Sequence, residues 1–124
     1  MTITEVSNKY GLTPDTLRYY ERIGLIPPVP RTKAGVRDYD EASCGWVELM
    51  KCMRSAGVQI EALIKYVALC QAEGDTYAER IAILHDQRSQ MAERIAEMQR
   101  SLDRLDAKID YYETCRSRCS KRCG

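Results

Sequence analysis

Phenylalanine is absent from this 124-residue chain, and tryptophan and histidine occur once each, so its aromatic character rests on eight tyrosines. A core made from it must be filled by Leu, Ile, Val, Met and Tyr, and will be modest. No apolar run approaches the roughly 18 residues of a membrane span, and the opening Met1 to Glu5 has neither a basic start nor an apolar stretch. No membrane partner is expected, and the chain reads as cytoplasmic. With 124 residues there is room for one small core plus an extended element, which excludes a multi-domain enzyme. The lone His85 has no second histidine or evident carboxylate partner and reads as a surface or interface residue. Catalysis would need a nucleophile with an orienting base; the chain offers thiols without one, so no enzyme is expected.

Excess charge is also missing, at a formal +1, yet the charge is unevenly placed. Between Leu17 and Arg37 stand Arg18, Arg22, Arg31, Lys33 and Arg37 against a single acid, Glu21. For nucleic-acid binding this clustering matters more than the total. Thr2 and Glu5 form a capping box for a first helix that ends at Gly11. Thr13, Pro14 and Asp15 start a second, which runs to about Ile23 and stops at Gly24. Two short helices around a tight turn make a helix-turn-helix. On the second helix Leu17 and Tyr20 share a face suited to packing, while Asp15, Arg18, Tyr19 and Arg22 share another that can meet phosphates and base edges. Pro27, Pro28 and Pro30 forbid helix, and Lys33-Ala34-Gly35 reads as the turn of a basic hairpin, a plausible wing.

Asp40 caps a third helix whose Trp46, Leu49, Met50 and Met53 are expected to form the packed face. A fourth helix follows from about Gln59 to Gln71, before a break at Glu73-Gly74-Asp75. From Tyr77 the steps of four and three run without a skip through Ile81, Leu84, Arg88, Met91, Ile95, Met98, Leu102, Leu105, Ile109 and Tyr112, the heptad seam of a coiled coil. Such a helix would be roughly 54 Å long and would leave its stripe wet without a partner helix. A homodimer is expected, with Leu84, Met91, Ile95, Met98, Leu102, Leu105 and Ile109 at the seam. The fold class is therefore mainly α. Residues 1–73 form a winged helix-turn-helix domain with a small two-stranded wing and two supporting helices, 74–113 a dimerisation helix, and 114–124 a basic, cysteine-rich tail.

The run from Leu12 to Pro28, LTPDTLRYYERIGLIPP, resembles the signature of the MerR family of regulators. Gly35-Val36-Arg37-Asp38-Tyr39 is similar to the wing of that family, where an aromatic residue is commoner at position 36. The resemblance covers residues 1 to about 112. It implies an antiparallel dimer that binds pseudo-palindromic promoter DNA and distorts an over-long spacer so that RNA polymerase can engage both promoter elements, a regulatory use of indirect readout. Carried over residue by residue, it implies DNA contacts from Thr16, Arg18 and Tyr19 in the recognition helix and from Lys33, Arg37 and Tyr39 in the wing. For Tyr20 it leaves core packing, and for Arg22 either a contact or a solvated helix face.

Six cysteines without a leader at the start of the chain read as reduced thiols, metal ligands or redox groups, not as a disulfide scaffold. The metal sensors of the family place Cys or Ser near the start of the long helix, and Asp75 to Glu79 has no Cys. The stretches Lys51 to Gly57, Ile60 to Tyr66 and Glu73 to Asp75 instead resemble the aldehyde- and thiol-stress-responsive branch related to AdhR and NmlR. That resemblance implies that Cys52 is the sensing residue; the alternative is a small buried hydrophobe. The thiolate is the reactive form, and the helical neighbours Glu48, Leu49, Ser55 and Ala56 include no cation. Cys115, Cys119 and Cys123 are spaced to share a helical face. With the partner's Cys70 or Cys52 they are a candidate redox or soft-metal set; otherwise the tail is a disordered basic segment. Cys44 reads as structural, and no other cofactor is expected. The competing functions are a regulator responsive to electrophiles or oxidation, one responsive to soft metals, an effector-free architectural or excision-type DNA-binding module, and an interaction coiled coil.

Overall fold

A computed structural model describes residues 1–118. Its helices are α1 (Ile3–Tyr10), α2 (Pro14–Arg22), α3 (Glu41–Ser55), α4 (Ile60–Gln71) and α5 (Tyr77–Ser117). Local chemistry sets most of their ends. Thr2 and Glu5 exchange side-chain and backbone hydrogen bonds at the start of α1, and Gly11 takes the left-handed conformation at its end, with φ of 68°. Thr13 accepts from the Thr16 amide to cap α2, with Pro14 in the first turn. Asp40 accepts from the Ser43 amide and caps α3.

The first compact unit is Met1–Arg88. Its α1 packs against α2 and α3. Val6, Leu17, Leu25, Val47 and Met50 are fully buried at the centre, with Ile26, Val58, Leu63 and Val67 close behind. In α3 the buried face is Ser43, Cys44, Val47 and Met50. This corrects the expected face: only Met50 is shared, Leu49 is exposed, and Trp46 and Met53 are half-buried. Trp46 instead leans on Tyr66 of α4, with ring centroids 6.1 Å apart. The apolar face is thus rotated toward the smaller Cys44 and Val47, which admit the close approach of α1.

The opening turns of α5 belong to this unit. Thr76 Oγ1 donates to the Leu69 carbonyl, and Arg80 donates to both Thr76 Oγ1 and that carbonyl. Gln87 is buried and its side-chain oxygen accepts from the Gln59 amide at the start of α4, where Gln59 supplies no side-chain cap of its own. These bonds satisfy helix-end groups that would otherwise be orphaned. Tyr77, Ile81 and Leu84 on this part of α5 are exposed.

The second unit is Ser89–Gly124. Among its described residues Ile95, Met98, Leu102, Leu105 and Ile109 are about half or more exposed, and Met91 is half-buried. Large aliphatic side chains at heptad spacing, left in water, are a surface that a partner helix would cover.

Candidate nucleic-acid interface

The exposed face of α2 carries Arg18, Tyr19 and Arg22. It forms because Leu17 and Tyr20, at the alternate helical positions, are drawn into the core and fix the rotation of the helix. Arg18 pairs with Asp15 at 3.0 Å, and the Arg22 guanidinium lies 5.3 Å from the Tyr19 ring centroid. Thr16 is half-buried, its hydroxyl 2.9 Å from that of the capping Thr13. It sits at the base of the face and supports the cap.

Beside the helix stands the wing. Thr32 and Gly35 close a tight turn, with the Gly35 amide donating to the Thr32 carbonyl and the Thr32 amide to the Val36 carbonyl. Gly35 has a φ of 82°, a left-handed conformation that an L side chain rarely takes. A single antiparallel bridge, Arg31 to Arg37, joins the two arms, so the wing is slighter than two full strands. Arg31 and Lys33 are exposed.

Arg37 and Glu21 meet across these elements, Arg37 Nε donating to Glu21 Oε1 at 2.7 Å. The other carboxylate oxygen accepts from the Val29 amide, also at 2.7 Å. Burial tends to raise the Glu21 pKa, but the bonds from Arg37 and Val29 and the charges of Arg37 and Arg31 outweigh it and hold the carboxyl below its ordinary value. Pattern reading missed this link, because its partners are sixteen residues apart in sequence. The available signal was that Glu21 is the lone acid in the basic stretch.

Tyr39 is a correction to the expected contact set. It is 1% exposed and is among the largest fully buried side chains, so it belongs to the core under the wing, not to the surface. Among the described residues its hydroxyl has no hydrogen-bond partner. Tyr20 is buried as expected.

Among the described residues three cysteines are free thiols: Cys44 buried, Cys70 half-buried and Cys52 exposed. Cys44 packs with its sulfur 3.8 Å from that of Met1. Cys70 lies one helical turn from Tyr66, whose pKa is raised by burial and by a hydrogen bond with Cys70. Cys52 stands in the last turns of α3, and the cations beside it in sequence are engaged elsewhere: Lys51 on the Tyr10 carbonyl and Arg54 on the Val58 carbonyl. Cys115 is partly exposed near the end of α5. Cys119 and Cys123 lie outside the described residues. Among the described residues no three His, Cys, Asp or Glu side chains are grouped to hold a metal ion.

A two-helix reader with an exposed cationic face and a basic wing defines a DNA-binding protein of the winged helix-turn-helix class. Residues 1–69 match the MerR HTH family regulatory protein profile. The chain belongs to the MerR family of transcription regulators. The regulator AdhR of Bacillus subtilis is 54% identical over 94 residues, which are 75% of this chain and 66% of AdhR, just under two thirds of that relative's length. A crystal structure of a MerR family regulator from Listeria monocytogenes superposes with a TM-score of 0.88 at 49% identity, covering 92% of this chain and 86% of that one. HiNmlR, a family regulator lacking the sensor domain and solved bound to promoter DNA, superposes at 0.80 with 28% identity, covering 96% and 94%.

Proposed function

We propose that this chain acts as a cytoplasmic homodimer that binds a pseudo-palindromic promoter, activates transcription by distorting the duplex for RNA polymerase, and takes its signal from reactive electrophiles or thiol oxidation at Cys52. The observation that carries the effector reading is the exposure of Cys52: of the three free thiols among the described residues it is the most open to solvent, Cys70 being half-buried and Cys44 buried. The likeness to AdhR and HiNmlR supports the same branch. Arg18, Tyr19 and Arg22 on α2, with Lys33 and Arg37 on the wing, supply the DNA contacts, and phosphate contacts make affinity steeply salt-dependent. The exposed aliphatic residues of α5 are covered by the second protomer.

The test is in vitro transcription from the chain's own promoter with aldehydes, oxidants and thiophilic metals, comparing the wild type with Cys52→Ser and Cys115→Ser. Cys52→Ser is expected to abolish induction by electrophiles while leaving DNA affinity unchanged. An intact aldehyde response in that variant would sink the proposal. Induction by metals alone, lost in Cys115→Ser, would transfer the sensing role to the tail thiols.

A further inference from the structure

Glu21 is an acid where acids should be harmful. It stands on the helix proposed to enter the groove and faces a wing proposed to touch phosphates, so simple electrostatics assigns it a repulsive role. Its bonds give it another. The segment from Pro27 to Pro30 contains three prolines, which have no amide hydrogen, so Val29 holds the one main-chain donor there. Glu21 Oε2 takes that donor at 2.7 Å. The same carboxylate holds Arg37 at 2.7 Å, at the far arm of the wing. One side chain on α2 therefore fastens both the connection into the wing and the wing arm itself. The pair is largely enclosed, with side-chain exposures of 24% for Arg37 and 14% for Glu21, so water competes weakly for these bonds.

The way Arg37 is held matters as much as the fact. A guanidinium has five donors in a planar fork, and Glu21 engages the one on Nε. Among the described residues the two terminal nitrogens have no hydrogen-bond partner, so they remain for an outside acceptor with paired oxygens. We infer that Glu21 is a positioning residue for DNA binding: it holds the Arg37 guanidinium by Nε so that the terminal nitrogens grip a backbone phosphate. This inference rests on the DNA-binding reading proposed above. It makes Glu21 favourable to binding despite its charge, because fixing the long Arg37 side chain in advance removes the ordering cost of the contact.

The sign of the effect tests it. A fluorescent duplex that the wild-type protein selects from a randomised pool serves as the probe, and affinity is measured across a salt series by anisotropy. Failure of the wild type to select any duplex overturns the DNA-binding reading itself, an outcome distinct from any change seen in the Glu21 variants. Glu21→Gln is expected to weaken binding by about tenfold and to make the dependence of log K on log salt shallower by about two per dimer, one phosphate contact per protomer at about 0.9 each. In an Arg37→Ala background the same substitution is expected to leave binding unchanged or tighten it. Unchanged or tighter binding of the single Glu21→Gln variant at an unaltered salt slope would overturn the inference, as would an equal loss in the Arg37→Ala background. If circular dichroism shows that Glu21→Gln unfolds, Arg37→Lys decides. It keeps the charge but lacks the fork, and is expected to lose about the same tenfold, whereas wild-type affinity in that variant overturns the inference.

Discussion

Arg18 and Asp15 form an ion pair of 3.0 Å on the open face of α2, the aspartate almost fully exposed and the arginine about half so. An exposed pair of this kind adds little to stability. On the proposed DNA-binding reading its consequence is larger, because Asp15 holds a positive side chain that would otherwise reach the duplex and places a negative charge beside it. Asp15→Asn is expected to tighten DNA binding by roughly two- to fivefold near 0.1 M salt, with the gain fading as salt rises. Arg18→Ala should instead weaken binding and relax discrimination between sequences, which a competition assay against mismatched duplexes reads directly. Asp15 and Glu21 thus lie on one helix and are expected to respond with opposite signs to loss of their charge.

The exposed aliphatic row of α5 gives a second expectation. Leu102 is 49% exposed and Leu105 62%, values that no isolated soluble helix would favour for side chains of that size. Leu102→Glu places a charge at a heptad position and should raise the dissociation constant of the dimer by about 100-fold or more. Sedimentation equilibrium would report a monomer at micromolar concentration. DNA affinity should fall with it, since the two half-sites are then bound independently.

Helix starts and stops were legible because capping is local chemistry: Thr2 with Glu5, Thr13 with Pro14, and Asp40 each act within one turn. The open face of α2 was legible for the same reason, as the buried Leu17 and Tyr20 set its rotation. The α3 face was not. Trp46, Leu49 and Met53 outweigh Cys44 and Val47 in hydrophobic volume, but the core lies on the side of the smaller residues, and only neighbouring helices decide that. Tyr39 differs for a related reason: the family resemblance implies a contact from the wing, while the residue that ends the wing turns inward and is fixed by tertiary packing. The Glu21 link to Arg37 depends on how α2 and the wing come together, which no helical or strand period encodes.

The depressed pKa of Glu21 implies a stability that depends on pH in a set direction. On acidification the unfolded chain takes up this proton before the folded one does, so the contribution of Glu21 is complete above the ordinary glutamate range and is lost as pH falls through the lower, folded value. Thermal melts of the wild type and Glu21→Gln should therefore differ at neutral pH, with the wild type the more stable, and converge below the usual carboxylate range. A gap that persists undiminished below that range would show that the substitution acts through packing and not through charge.

Tyr39 yields the most direct check on the floor of the wing. Its ring is fully enclosed, and its hydroxyl is buried with no hydrogen-bond partner among the described residues. A buried polar group left unpaired is destabilising, because it gives up bonds to water and gains none. Removing the hydroxyl while keeping the ring should then help: Tyr39→Phe is expected to stabilise the fold by about 1 kcal/mol in urea or thermal unfolding. Tyr39→Ala, which empties the site, should cost about 3–5 kcal/mol. DNA affinity separates a core residue from a contact residue. If Tyr39 only supports the wing, Tyr39→Phe binds the duplex as the wild type does, with the same salt slope. A loss of affinity in a variant that is at least as stable as the wild type would mean that the hydroxyl leaves its buried place to meet the DNA.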